Sequence, residues 1–503
     1  MGLFNKKSKS SVNGSTNAAS ARTSHSSLMS PPPTKVINGG SFNSPSVPDV
    51  SLPAPPDPTL DPAAYLRSIY AVRARTRLVY QRAKRNQLNH FIVDGSKFRD
   101  TADYVVSIIK RDFAPDYTSI PAHGRWQHFE AGGRPRIDQL LSSWPSTIDA
   151  QERTRRLLDL FLVSVLLDAG AGTRWTYKSK ESGKTYRRSE GLAIASLEMF
   201  KAGYFSSDSA QPCQVDSAGL KLLTLSQLAR GLQATPDTNP LAGLEGRAGL
   251  MTRLGDALAQ NPSYFGAKGR PGHMLDHLLS HPTTTAHSVP VITVPTLWSV
   301  LINGLATVWP TTGPGRTIID GVGLGDAWPC NSMPASPPGL PWENIVPLHK
   351  LTQWLCYSLM TPMQKVMKVH FAGTDLLTGL PEYRNGGLLV DTGLLTLKDG
   401  DMDRGLRKFR ERAATKGQPS MEVVPLFETN DDAVVEWRAV TVGFLDDLLV
   451  EVNGILGLSG ERKLSLAQML EAGSWKGGRE LAEVSRPNTK EPPIMIISDG
   501  TVF

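Results

Sequence analysis

The chain of 503 residues holds only three cysteines, Cys213, Cys330 and Cys356, widely spaced and odd in number. That argues against a disulfide framework and for a reducing compartment. None sits in a CxxC pair, which excludes a thiolate zinc site of that type. No run reaches the ~18 unbroken apolar residues of a membrane span, and the first thirty residues lack the apolar core of a secretory signal. We therefore expect a cytoplasmic protein, with the nucleus as the alternative. The start, MGLFNKKS, departs from a myristoylation signal at Lys6. Familiar signatures are missing too. The glycine-rich pieces GPGRT and GVGLGD fit neither a phosphate loop nor a dinucleotide fingerprint, and there is no GxSxG elbow and no HExxH pair.

Net charge is also low outside the N-terminus. Residues 1–60 carry five basic and two acidic side chains, so +3 of the net +7 sits there. The remainder is too weakly basic to imply nucleic-acid binding, and it leaves a small anionic molecule as the partner class. Residues 1–60 are rich in Ser, Asn and Pro and nearly free of aromatics. They cannot bury enough apolar surface to offset ordering entropy, so the composition predicts a disordered tail.

From Asp61-Pro62 onward the pattern is mainly α: one large helical domain over 61–503, or two packed lobes divided near 290. The spacing predicts a basic helix from Asp61 to about Asn89, carrying Arg67, Arg73, Arg75, Arg77, Arg82, Lys84 and Arg85. Further helices are expected over Phe98–Asp112, Ile137–Ser142, Ala150–Leu167, Glu190–Lys201, Ser217–Gln233 and Gly243–Gln260. The remainder are Met274–Ser280, Val294–Trp309, Pro347–Met360, Asp403–Arg412, Ala433–Leu456 and Ser465–Glu471. Strands are few; Gly387–Lys398 and Ile494–Phe503, the latter around Asp499-Gly500, read as short hairpins.

Two stretches carry chemistry. In Val165 to Ser206, Asp168 ends an apolar helix, Gly170 and Gly172 permit a turn, and Trp175, Tyr177, Arg187, Arg188, Ser189 and Glu190 follow. Ser189 reads as the cap of the next helix, which would set Asp168 and Glu190 at two helix ends facing one cleft. The competing reading is a capped helix pair with ordinary surface arginines. In Ile318 to Tyr357, Asp320 and Asp326 bracket a glycine-rich turn. Trp328 and a proline-dense loop come next, then a helix whose first turns hold His349, Lys350, Gln353 and Trp354. A lysine at a helix start suits an anionic group. His273, His277 and His281 lie four apart, but Pro282 ends that helix and no metal motif accompanies them, so no metal site is expected. Cys330 reads as an inert buried thiol rather than a nucleophile.

These residues resemble a known family. VLLDAGAGTRWTY with RRSEGLAIASLEMF, GVGLGDAW with VPLHKLTQWLCYSL, EWRAVTVGFLDDL, and SWKGGRELAEVSRP with PPIMIISDGTVF are similar to the uracil catabolism protein 4 family of fungi and bacteria, from about Tyr65 to Phe503. The order of an aromatic-rich segment, an acid in a Gly/Asp turn and a proline-led helix also resembles queuosine-salvage glycosidases. Those are helical and similar to DNA glycosylases; the lysine they carry in a preceding helix is matched here near Ser299, which departs from their pattern. The resemblance implies a pyrimidine-degrading route in which uracil is made into a nucleotide, its ring is opened by a cyclohydrolase-like partner, and nitrogen leaves as urea.

The activity implied is hydrolysis of the N-glycosidic bond of a ribosyl-urea phosphate. Such a reaction asks for two carboxylates in different states and for neither a metal nor a redox cofactor. Asp326 is expected to orient water, with Asp168 or Glu190 serving the leaving group. Trp175, Tyr177, Trp328 and Trp354 are expected to wall the pocket, Arg188, His349 and Lys350 to hold phosphate, and Ser189, Asp320 and Gln353 to contact substrate. The alternatives are a ureido C–N hydrolase of the same route, or a non-catalytic partner of the ring-opening enzyme. The expected partners are thus a nucleotide-derived small molecule and other enzymes of the route.

Overall fold

The first helix begins where Asp61 accepts a hydrogen bond from the Ala64 amide (2.8 Å) and Pro62 brings a preset φ. The computed structural model describes residues 50–497 apart from 169, 173, 287–288, 310–315, 334–339, 341 and 417–421. Most of the tail assigned by composition thus lies outside the described residues. Residues 50–60 belong to the body: the Tyr70 hydroxyl donates to the Pro53 carbonyl, and Leu52 packs beside Gly373.

The architecture is mainly α. The helices in chain order are α1 Pro62–Leu66, α2 Ile69–Ala83, α3 Lys97–Phe113, α4 Arg125–Phe129, α5 Arg136–Ser143, α6 Ala150–Leu166, α7 Arg188–Lys201, α8 Ser217–Leu222, α9 Leu225–Gly231 and α10 Leu244–Gln260. They continue as α11 Pro262–Phe265, α12 Met274–Ser280, α13 Val294–Gly304, α14 Lys350–Met367, α15 Tyr383–Asp391, α16 Asp399–Lys416, α17 Asp432–Ile455, α18 Leu466–Met469 and α19 Trp475–Ser485. Among the described residues the strands are short and form two- and three-stranded ladders. None of these helices is long and apolar enough to cross a membrane.

The centre is α6. Every side chain from Leu157 to Leu167 is buried, and α14 packs along it. One of them, Asp159, is ionisable; Arg270 Nε (2.7 Å) and the Gly272 amide (2.6 Å) satisfy it, which offsets the cost of burying it. A second layer packs α17 on α2 and α15 on α19. Both contacts need glycine. A Cβ on Gly443 would overlap the Tyr80 ring, and one on Gly478 would overlap the Arg384 carbonyl. The latter approach brings Arg384 and Trp475 to one side of the molecule.

Several expectations are corrected. The basic helix breaks between α1 and α2, where Ser68 caps a new start. Two of its arginines are spent inside the fold, Arg73 on Asp446 and Arg75 on the carbonyls of Glu343 and Ile345, while Arg77 and Arg85 are exposed. Ser217–Gln233 divides because Thr224 and Gln227 form a capping box. Pro347 does not open a helix. It ends a strand, Ile345–Pro347, antiparallel to Ala327–Pro329, and α14 starts at Lys350. Gly387–Lys398 is not a hairpin, because the Glu382 carboxylate caps α15 there; Leu395–Leu397 instead pairs with Phe91–Val93. At the C-terminus Met495–Ile497 runs parallel to Leu426–Glu428, while Asp499-Gly500 falls outside the described residues.

Candidate active site

Helix starts and ends converge on an open-mouthed cavity of about 1100 Å³, mouth included. Asp168 follows the last turn of α6. Gly172, with φ +77°, turns the chain away behind it. Arg188 and Ser189 open α7, Lys350 and Trp354 open α14, Glu382 to Arg384 open α15, and Trp475 opens α19 after a π-helical turn over Leu470–Ser474. His123 and His128 come from beside and within α4, and Glu491 and Pro492 from the segment after α19.

Asp168 is an acid of this cavity with an oxygen left unpartnered among the described residues. Its side chain is 9% exposed, and Oδ2 meets Nη1 of the fully buried Arg125 at 2.7 Å. Its Oδ1 is buried and has no hydrogen-bond partner among the described residues. Burial pushes the carboxyl up, opposed by Arg125, then Lys350 and Ser189. Arg125 is itself pinned by the Ser164 hydroxyl (2.8 Å) and carbonyl (3.1 Å) and donates to His128 Nδ1 at 3.2 Å. A guanidinium has no acceptor, so that contact leaves the imidazole proton on Nε2. Burial, then Arg125, holds His128 well below its ordinary value, as a neutral ring.

Lys350 has an ammonium without hydrogen bond or ion pair among the described residues; burial lowers its pKa, opposed by Glu382 and Asp168. Trp354 and Trp475 form an aromatic box with the two histidines: His123 to Trp354 is 4.7 Å, His128 to Trp354 5.7 Å and His128 to Trp475 5.6 Å between ring centres. His123 is anchored from behind, with Nδ1 2.6 Å from Glu471. Glu382 spends its carboxylate on the amides of Arg384 (2.8 Å) and Asn385 (2.7 Å).

Of the residues expected from sequence, Asp168, Arg188, Ser189, Lys350 and Trp354 line this cavity. Ser189 does so from inside the first turn of α7, since Arg187 rather than Ser189 holds the cap position. Glu190 stands just outside, ion-paired with Arg479. The expectation that Asp326 shares the cavity is not met. Both its oxygens are taken by Arg438 (2.8 Å each), and the Trp328 indole (2.7 Å) and Lys350 amide (2.9 Å) complete the set. Its carboxyl is held down at about 2: burial raises it and Arg438 more than cancels that.

Trp328 is accordingly a clamp on Asp326, and His349 rests on the Leu66 carbonyl (2.8 Å) and the edge of Trp298. Gln353 bonds Thr378 (2.7 Å), Trp175 the Leu232 carbonyl (2.9 Å) and Tyr177 the Glu198 carboxylate (2.8 Å), so all three pack the interior. Asp320 is exposed at a strand turn. Sequence reasoning missed Arg125, His123, His128, Glu382, Tyr383, Arg384, Trp475 and Glu491. The run HGRWQHF, which mixes charge and aromatics as densely as the Asp168 stretch, carried a usable signal for the first three.

Among the described residues no three His, Cys, Asp or Glu side chains are grouped to hold a metal ion. His277 Nδ1 lies 3.1 Å from the Ser263 carbonyl, and His281 Nδ1 is 2.8 Å from Thr283. Cys330 is buried, and desolvation pushes its thiol well up.

Residues 65–503 match the model of a family described as a protein of unknown function, DUF1688. The chain belongs to the DUF1688 family. Uracil catabolism protein 4 of Lachancea kluyveri is 44% identical to it over 449 residues, 88% of this chain and 99% of that protein. Protein urg3 of Schizosaccharomyces pombe is 43% identical over 441 residues, 88% of this chain and 98% of that protein. Every residue of this DUF1688 chain that lines the cavity falls inside the matched region.

Proposed function

We propose that this chain is a hydrolase of uracil catabolism that cleaves the N-glycosidic bond of a ring-opened uridine phosphate, a ribosyl-urea phosphate, and releases urea. The route is suggested by the relative named uracil catabolism protein 4. The reaction is supported above all by one observation: Asp168 Oδ1, buried and without a hydrogen-bond partner among the described residues, lies in a cavity that also holds a lysine ammonium unpaired among them.

Cleavage of a C1′–N bond passes through a cation resembling an oxocarbenium ion. Asp168 orients water through Oδ1 and faces the developing charge, while Arg125 fixes its angle through Oδ2. Water oxygen bonds to C1′ and gives its proton to Asp168. The electron pair of the broken bond goes to the urea nitrogen, which takes a proton from Lys350. Proton exchange between the two side chains and solvent resets the pair. Burial suits both to this: it raises the acid and lowers the ammonium, bringing each nearer neutrality. The box of His123, His128, Trp354 and Trp475 excludes water around the planar urea, and the Nε2–H of His128 is a neutral donor for its oxygen.

Purified protein is given ribosyl-urea 5′-phosphate, with urea and ribose 5-phosphate measured separately. Wild type releases both in equal amounts. Asp168→Asn and Lys350→Met lose on the order of 10²–10⁴ in rate. Ammonia with no free ribose phosphate would instead identify a ureido C–N hydrolase. Full turnover in Asp168→Asn would overturn the assignment.

A further inference from the structure

The cavity is also lined by two arginines from different helices, Arg188 of α7 and Arg384 of α15. Both grip the same piece of backbone. Arg188 Nη2 donates to the carbonyls of Thr489 and Lys490 (3.2 Å each), and Arg384 Nη1 reaches the Lys490 carbonyl at 3.4 Å. Arg188 Nη1 is buried and donates to nothing among the described residues. Arg188 also sits at φ +52°, a conformation that strains a non-glycine residue and that local structure must hold in place. The next residue along the gripped backbone is Glu491, whose carboxylate feels Arg188, Arg384 and Arg486 yet forms no ion pair with any of them among the described residues. Arg486 is already committed to Asp391, at 3.0 Å through Nη1. Two guanidiniums, one with a buried donor unspent, therefore lie near a carboxylate with which neither is ion-paired among the described residues.

We propose that Arg188 and Arg384 form a subsite for the terminal phosphate of the substrate, and that the Glu491 carboxylate is its rival for those arginines. This deepens the reading above, on which the sugar and urea lie toward Asp168. A phosphate offers more acceptor oxygens than a carboxylate and matches the planar donor forks of two arginines. Glu491 repels the same dianion, so the subsite is weaker with Glu491 present than without it.

The test is binding of ribose 5-phosphate, with ribose as the uncharged control, to the full chain by calorimetry, with no turnover required. Wild type is expected to bind ribose 5-phosphate and not ribose. Arg188→Gln and Arg384→Gln are expected to weaken binding at least tenfold, and Glu491→Gln to tighten it severalfold. A tightening cannot come from misfolding, so that variant stands even if an arginine variant fails to fold. Unchanged affinity in both Glu491→Gln and a folded Arg188→Gln would overturn the subsite. Binding in this pattern without urea release by wild type would instead sink the glycosidase reading and leave the subsite standing.

Discussion

Two buried aspartates interact with Lys350, and the structure assigns them opposite consequences. Asp326 has both oxygens satisfied, by Arg438 at 2.8 Å twice, by the Trp328 indole at 2.7 Å and by the Lys350 amide at 2.9 Å. Asp326→Asn removes one member of a buried ion pair and strands the Arg438 charge, a change that costs about 3–5 kcal/mol. The acid limb of stability gives an independent figure. A carboxyl at about 2 in the fold against 3.8 otherwise corresponds to about 2 kcal/mol at neutral pH. Its folded value is depressed, so that contribution is present above pH 3.8 and is lost as pH falls through about 2.

Asp168→Asn differs. Arg125 keeps Ser164, Ser189 and His128, so the stability loss is smaller, about 1–3 kcal/mol, while turnover falls on the order of 10²–10⁴. Guanidinium denaturation of each variant, with urea release measured per folded molecule, separates the two. If Asp326→Asn unfolds at the wild-type midpoint and yet cannot turn over substrate, Asp326 is a catalytic group and the reasoning here fails.

Other outcomes follow from the same structure. His90 lies between Asp432 (2.7 Å) and Asp401 (2.8 Å); burial would lower it, but the two carboxylates hold it up at about 9. Its contribution to stability is full below pH 6.5 and disappears as pH rises through about 9, so melting curves of wild type and His90→Gln should differ at pH 6 and converge by pH 10. Gly443→Ala drives a methyl into Tyr80 and should cost about 1–3 kcal/mol, read from the denaturation midpoint; a neutral result would mean α2 and α17 are not packed as described. The alkaline limb of kcat should fall below 10.5, the ordinary lysine value, because burial of Lys350 favours the neutral amine; an unmoved limb would remove Lys350 as proton donor. Trp475→Ala opens the aromatic box and should raise KM more than it lowers kcat.

The helical character was legible because long periodic segments decide it. Ala150–Leu166, Met274–Ser280 and Asp432–Ile455 appear within a residue or so of where periodicity sets them. Boundaries moved where a side chain intervened from elsewhere in space. Glu382 caps α15 inside a segment whose glycines suggested a turn, and Pro347 became a strand end because Ala327–Pro329 pairs with it. The site was legible in part for a similar reason. Asp168, Arg188 and Lys350 sit at helix ends, where sequence marks a polar residue that has left the apolar stripe.

Whether such a residue is free depends on partners far along the chain, and there the reading of Asp326 failed. The clue lay in α17. EWRAVTVGFL is apolar on nearly every side, so an arginine within it must be buried and must have an acid. Arg438 claims Asp326 from 112 positions away. Arg125 makes the same demand on Asp168 but takes one oxygen only, Oδ2. A buried arginine therefore accounts for one carboxylate completely and for the other by half, and the unclaimed half is what the proposed chemistry uses.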